Sequence, residues 1–554
     1  MSRKLWLSVV MVAVGASLLV VAGFAKPSSA GAPASSAKHA ATGGTLNYDL
    51  DTDIDFSDPA LAYYVPSWEI EYATCLKLLN YPDANGPKGS QLVPEAATGF
   101  PKVSNGGKTY DFTVKSPGGT KFSDGSAVTP NSFAAELLRV LDPKMQSGGS
   151  GFFADIVGAQ AMLDGKATTA SGIKVSGNHL IINLTKPAPD FLARIAMPFV
   201  CAIPPGLAHD PNGVNTLPGA GPYYIAARTP NKSITLKRNP NYKGKRPHNV
   251  DTIQYTIGNS LDAQMLRLES GQTDLGGVPA SAYAGLAAKY GVNKGRFYVK
   301  PNLGVWYLAF NHDRPLFKTG GVHGNVNLKR AINFALDRHA LVIQSGAFSG
   351  RRTDQVLPPG MAGFKACNCY PTVKPPNFAT AKKLAAGHTG SGNAVLYTFT
   401  SSYGPLWAQI IQFDLKQIGV NVEVKPFARA VEFQKAGTKG EPFDMEIDGW
   451  SADYPDPYDF INVLLSGDTI QDSNNNNHAY FNDPVFNKKM NQAALLSGSA
   501  RYSAYGQLDV DMMKQAAPWA PIRNPFSRIF TSSRVGCFTF NNVYANDLAA
   551  DCIK

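Results

Sequence analysis

YTFTSSYGPLWAQIIQFDLKQIGVNVEV, residues 397–424, decides the fold class. Tyr397 to Thr400 reads as a strand, and Pro405 opens a helix in which Trp407, Ile411, Leu415 and Ile418 recur at helical spacing. Gly419 stops the helix, and Val420, Val422 and Val424 return to a spacing of two. Strand, helix and strand joined by short turns form a β-α-β unit, whose crossover sets two strands parallel in one sheet. The second half of the chain therefore holds an open α/β domain.

Outward from this unit, the same signals recur. Gly44 to Leu50 reads as a strand, followed by an amphipathic run from Ser67 to Leu79. Residues 90–215 alternate hairpin signals with short helices: Tyr110 to Val114 alternates at period two, and a helix opens at Thr129-Pro130 with Phe133, Leu137, Leu138 and Leu141 on one face. A second strand-rich block begins at Gly219. It leads to a helix that Ser260 caps and Gly271 ends, with Leu261, Met265 and Leu268 along one side. Asn327 is placed to cap a helix that buries Leu328, Ile332, Ala335 and Leu336. The low-complexity patch Ser473 to Asn477 reads as a polar loop.

The 554 residues are 44% hydrophobic, enough for two to four domains, and mean hydropathy is −0.15 with one long apolar run, which excludes a multi-span channel. The 52 Lys and Arg outnumber 41 Asp and Glu, but no block of five basic residues occurs, so nucleic-acid binding is poorly supported. Arg3 and Lys4 precede the uncharged apolar stretch Leu5 to Ala25, and small residues follow it, as in a secretory signal. At this length an uncleaved N-terminal anchor is the alternative reading. Residues 31–42 read as a flexible Ala/Ser/Gly tether.

An exported chain permits disulfides. Of six cysteines, Cys537 and Cys552 are expected to close a C-terminal loop, and Cys75, inside an apolar run, is expected as a buried free thiol. For Cys367-Asn368-Cys369 a bridge within the pair, a pairing with Cys201 and a soft-metal site all stay open.

Short catalytic motifs are missing: no His is followed by Glu, there is no Gly-x-Ser-x-Gly elbow, and Gly106-Gly107-Lys108-Thr109 lacks the first phosphate-loop glycine because residue 102 is Lys. The densest functional-looking cluster is Phe443 to Pro457, FDMEIDGWSADYPDP. Its alternation up to Ile447 reads as a strand. Gly449 then allows close approach, Trp450 offers a flat apolar wall, and Asp453 sits between Trp450 and Tyr454 on a loop stiffened by Pro455 and Pro457, which is what a cleft at the edge of an α/β sheet needs. Asp456 and Asp459 read instead as caps of the next helix.

The chain resembles family 5 of the extracellular solute-binding proteins, which serve ABC importers of oligopeptides, dipeptides and nickel. The resemblance rests on an ordered series: Gly43-Gly44-Thr45-Leu46, Phe122 to Thr129, Gly221-Pro222-Tyr223, Arg238 to Tyr242, Leu308 to Asn311, Arg330 to Asn333 with Asp337-Arg338, and Asp444 with Gly449-Trp450 and Asp453 to Pro457. It departs from the family's pattern at Pro130-Asn131, and it lacks a lipobox cysteine.

The resemblance implies a periplasmic binding protein-like type II fold, two α/β lobes joined by a hinge with an inserted domain. Lobe I would be residues 43–85, 206–312 and 521–554, the insertion 86–205, and lobe II 313–520, with Asn311-His312-Asp313 near a hinge crossing. It implies a monomeric, non-enzymatic, extracytoplasmic protein that captures a peptide by hinge closure and delivers it to an ABC permease, with no cofactor or metal and no nucleic acid. Asp453 would hold the ligand's ammonium, with Trp450, Tyr454 and Gly449 beside it; no Arg for the ligand's carboxylate is placed. The alternatives are another solute such as a sugar or a nickel chelate, with His312, His323 and the Cys367/Cys369 pair as places for a metal, a secreted hydrolase using Glu446, Asp448 and Asp453, or a receptor without import.

Overall fold

The computed structural model describes residues 42–115 and 120–554; the apolar leader and nearly all of the tether lie outside the described residues. Three sheets organise the chain. In the first, the strand Thr45–Leu50 runs parallel to Thr252–Ile257, which continues antiparallel through Ser233–Arg238 to Tyr223–Thr229. Helix Val65–Thr74 packs on it, burying Ile70 and Ala73 against Leu46, Ile225 and Ile253.

Between the first and second of these strands in the chain lies a separate antiparallel sheet, Lys102–Ser104, Thr109–Thr113, His179–Asn183 and Ile173–Ser176 in spatial order. Helix Pro130–Leu141 covers it. Thr129 and Ser132 form a reciprocal capping box at its start, and Phe133, Leu137 and Leu141 are buried as the spacing predicts, while Leu138 is only partly covered.

The third sheet has seven strands. Phe297–Pro301, Trp519–Phe530, Gly304–Phe310, Met445–Ser451, Asn393–Phe399 and Asn421–Phe427 lie side by side, and Gly350–Arg352 joins Trp519–Phe530. Asn393–Phe399 and Asn421–Phe427 are parallel over all seven residues, with helix Gly404–Lys416 as their crossover, so the predicted β-α-β unit is present. Trp407, Ile411 and Leu415 are fully buried against Leu396 and Ile447. This is the two-lobed α/β arrangement with an insertion.

Within the seven-stranded sheet, the segments Pro301 to Gly304 and Asn524 to Phe526 run side by side. The Asn302 N–H donates to the Pro525 carbonyl at 3.1 Å, and the Asn524 amide donates to the Gly304 carbonyl at 3.0 Å. Gly304–Phe310, expected in lobe I, is an interior strand of the seven-stranded sheet. Asn311, expected near a crossing, is bonded inside that lobe through the carbonyls of Phe443 and Asp444.

Two local expectations are corrected. The helix Val326–Ala335 is capped by Asn325, whose side chain accepts from the Leu328 N–H, whereas Asn327 lies within the helix and bonds His388. Cys75 is not a free thiol: it is buried as expected but bridged to Cys201. The two segments run side by side, the Ala202 N–H donating to the Leu76 carbonyl at 2.8 Å, so the sulfurs meet across the base of the inserted domain. Cys537 pairs with Cys552, as the spacing suggests, and Cys367 with Cys369.

The Cys75–Cys201 bridge closes a segment of sequence separation 126. By loop-closure entropy, replacing both residues with Ala should lower the unfolding free energy by about 2–4 kcal/mol, read as a lower urea midpoint. An unchanged midpoint would show that the inserted domain needs no staple.

Candidate ligand-binding site

The strand Met445–Ser451 runs further than its alternation suggested, through Gly449 and Trp450, before the turn at Ala452 to Pro457 and helix Tyr458–Leu465. Gly449 faces Trp306 on the neighbouring strand, and a Cβ there would lie 2.6 Å from the Trp306 ring. The close approach that Gly449 permits is therefore that of an indole. Trp450 is sunk into the largest apolar cluster, 7% exposed, and its indole N–H donates to Asp459 at 3.2 Å.

Asp459 does more than begin a helix. The same carboxylate oxygen accepts the Asp453 backbone N–H at 3.0 Å, so it fixes the turn from inside. Asp456 accepts the Tyr458 N–H, as a cap should, and pairs with Arg501 at 2.8 Å.

Asp453 is 6% exposed and accepts the Tyr63 hydroxyl at 2.9 Å. Tyr63 precedes the first helix of lobe I, so this bond spans the two lobes. Among the described residues no Lys, Arg or His pairs with Asp453. Burial raises its carboxyl to about 7, with the Tyr63 hydroxyl pulling back toward the ionised form. Tyr454 faces the inserted domain: its hydroxyl donates to Asp190 at 3.0 Å, and Phe152 packs edge-on against its ring. The inserted domain and both lobes thus meet at residues 453 and 454, and one apolar cluster runs from Phe133 and Phe199 through Trp68 to Trp450 and Trp519.

A cationic and aromatic group lies around Trp306 and along the strand Trp519–Phe530. Arg429 pairs with Asp448 at 2.6 Å and Glu432 at 2.5 Å, and its guanidinium sits over Trp306 and Phe399. Arg523 lies over Trp306, Tyr403 and Trp407, and Arg528 over Tyr283. Among the described residues neither Arg523 nor Arg528 has a carboxylate partner, and the Arg523 Nε is buried without an acceptor. Arg528 borders a cavity of about 250 Å³ at the carboxyl end of the first strand, with Leu50, Asp51, Gly276 and Gly277. Such strand ends are where open α/β sheets bind ligands. The charges of Arg429, Arg523 and Arg528 all bear on Tyr403, and that of Arg429 also reaches Tyr64 of lobe I, which is half exposed.

Beneath the strand, Glu446, Asp448 and His478 bring their donor atoms within 4.8 Å of one another. His478 bonds Glu446 at 2.9 Å and Asp448 at 3.3 Å, and Tyr307 donates to Asp448 at 3.0 Å. Burial alone would discharge His478, but the carboxylates raise it to about 10; burial would raise Asp448, but Arg429 and His478 hold it below the usual carboxylate range. Two resident cations, Arg429 and His478, thus occupy the place a metal would take. His478 follows the Asn-rich patch, which is also not a plain surface loop: Asn475 and Asn477 are buried, with their amides bonded to backbone carbonyls.

The two other places considered for a metal are likewise engaged. His312 accepts from Lys329 at 2.8 Å and His323 bonds Asp483, while Asp354 accepts the backbone N–H groups of Cys369 and Tyr370.

Residues 91–472 match the family model for the bacterial extracellular solute-binding proteins, family 5 middle region. The oligopeptide-binding protein OppA of Bacillus subtilis is 25% identical over 89% of both chains, and the periplasmic murein peptide-binding protein MppA of Escherichia coli 26% identical over 84% of both. A probable deoxycholate-binding periplasmic protein of Escherichia coli, YgiS, is 25% identical over 83% of this chain and 85% of its own. Among solved structures, clavulanic acid biosynthesis oligopeptide binding protein 2 superposes with a TM-score of 0.84 at 22% identity, covering 93% of this chain and 96% of its own.

The raised Asp453 carboxyl carries a stability consequence. Below about pH 3 the group is protonated both folded and unfolded, so it costs nothing. As pH rises from about 4 to 7 the unfolded carboxyl ionises first, and the folded state loses stability that it does not regain above pH 7. Asp453→Asn should therefore stabilise the protein at pH 8 by on the order of 2–4 kcal/mol, with the gain vanishing below about pH 3. Urea titrations at the two pH values would read it; a pH-independent difference would contradict the assignment.

Proposed function

This chain belongs to family 5 of the bacterial extracellular solute-binding proteins, and we propose that its solute is a peptide, held by its ammonium group at Asp453 when the lobes shut. The observation that carries the reading is a buried carboxylate at the lobe contact whose partner from the opposite lobe is a neutral phenol. A charge in that position is costly unless paired, and a ligand's ammonium supplies the missing counter-ion. Arg523 and Arg528, cations without carboxylate partners, are suited to the other end of a zwitterion. The peptide-binding names of the Bacillus and Escherichia relatives agree with this ligand class.

Capture proceeds without chemistry. The lobes rotate about the paired segments 301–304 and 524–526, enclose the peptide, and present the closed form to an ABC permease. Peptide backbone bonded in an extended conformation gives affinity that is independent of side chains. A hydrolase would need reachable carboxylates, whereas Glu446 and Asp448 are buried and already bonded to His478 and Arg429. We place the protein outside the cytoplasm, acting as a monomer. No helix among the described residues is long and apolar enough to cross a membrane.

Calorimetry with tri- to penta-alanine and their N-acetylated forms tests the reading. Acetylation of the peptide and Asp453→Asn in the protein should each weaken binding by roughly one to three orders of magnitude, the 2–5 kcal/mol of a broken buried charge pair being the upper guide. Equal binding of free and acetylated peptides would overturn it.

A further inference from the structure

The three disulfides constrain the chain very unequally. Cys75–Cys201 closes a sequence separation of 126 and Cys537–Cys552 one of 15, whereas Cys367–Cys369 closes one of 2. The entropy that a bridge removes from the unfolded chain falls with the length of the loop it closes. The short link therefore adds little that Asn368 does not already connect.

The loop that carries this link is held by other means. The Cys367 N–H donates to the Gln355 side-chain oxygen at 2.8 Å, and the Gln355 amide donates to the Lys365 carbonyl and to Asp509, each at 3.0 Å. The Cys369 and Tyr370 N–H groups both donate to Asp354, and the Tyr370 hydroxyl donates to the Met513 carbonyl at 2.7 Å. Asp354 and Gln355 are themselves buried. Both cysteines thus keep their places side by side whether or not their sulfurs are joined.

Two further features make the link easy to open. Asn368, inside the ring, is exposed and lies in the left-handed region at φ 52°, where residues with a side chain seldom sit. Opening the ring frees the backbone to leave it. Cys369 is half-buried between exposed Asn368 and the core, whereas Cys75 and Cys201 are 1% and 4% exposed. Strained and accessible disulfides are the ones that exchange most readily.

From these observations together we infer that Cys367–Cys369 is a redox site, a bridge that an external dithiol opens while the two longer bridges stay shut. One thiolate of the dithiol attacks the Cys369 sulfur, the Cys367–Cys369 bond breaks, and Cys367 leaves as a thiolate that takes a proton from water. The second thiol of the reagent gives its proton to solvent, attacks the reagent's own sulfur in the mixed disulfide and expels the Cys369 thiolate, which is protonated in turn. The dithiol ends as its disulfide and the protein as a dithiol; the reverse sequence, with an oxidised dithiol, closes the bridge again. The site is independent of the peptide reading.

The test uses the full folded protein, equilibrated at pH 8 with graded ratios of reduced to oxidised dithiothreitol, acid-quenched, alkylated and mapped by mass spectrometry. Cys367 and Cys369 should both be alkylated at a ratio at least about tenfold lower than the ratio that opens either other bridge, with the far-ultraviolet circular dichroism unchanged. Restoring oxidised dithiothreitol should protect them again. Cys367→Ser/Cys369→Ser should keep the urea midpoint of the unsubstituted protein. Opening of either longer bridge at the same or a lower ratio, loss of the folded signal as the pair opens, failure to reclose, or a serine variant that fails to fold or has a lowered midpoint would each overturn the inference.

Discussion

A buried pair of carboxyl groups, Asp453 and Asp459, with no cation beside it among the described residues, sets the terms for the rest of the molecule. Asp453 is held in place from both sides, by the Asp459 carboxylate through its own backbone N–H and by the Tyr63 hydroxyl from the other lobe. A phenol stabilises an ionised carboxylate far less than an ammonium does, and burial accordingly pushes the group toward protonation. On the proposed reading, a ligand's ammonium would meet this deficit, and its binding energy would stabilise closure.

The surroundings make that deficit specific rather than merely costly. The strand leading to Asp453 is anchored underneath by Arg429, Asp448, His478 and Glu446, a buried network of opposed charges that fixes the backbone from Met445 to Ser451. Trp306 lies flat over Gly449 and in turn supports Arg429 and Arg523. Tyr454 and Asp190 tie the turn to the inserted domain, where Arg194 backs Asp190 at 3.3 Å and Asp155 at 3.0 Å. A site supported on three sides by rigid elements can hold a small cationic group to a fraction of an ångström, as preorganised recognition requires.

What the sequence made legible was local. Helical spacing at Trp407, Ile411 and Leu415 and the alternation around Val422 predicted the parallel unit, and the Ser260 and Gly271 signals matched both ends of their helix. Asp453 stood out because it lies between two aromatics on a proline-stiffened turn. Partners far apart in the chain were not legible. Cys75 meets a thiol 126 residues away, Asp453 meets Tyr63 390 residues away, and Arg429 reaches the site from a helix whose own pattern is unremarked. Trp450 read as a ligand wall because an indole beside an acid suits a cleft; its burial follows from the long continuation of the strand, which turns it into the core. His478 was hidden behind an Asn-rich patch whose composition resembles an ordinary loop.

The central claim is that a ligand ammonium replaces a proton at Asp453. Calorimetric titration of the protein with tetra-alanine at pH 6, repeated in buffers of different ionisation enthalpy, counts the protons exchanged. A carboxyl that titrates near 7 when free and is ionised when paired should release close to one proton per peptide bound, and Asp453→Asn should release none. Peptide binding with no proton release by the unsubstituted protein would contradict the account.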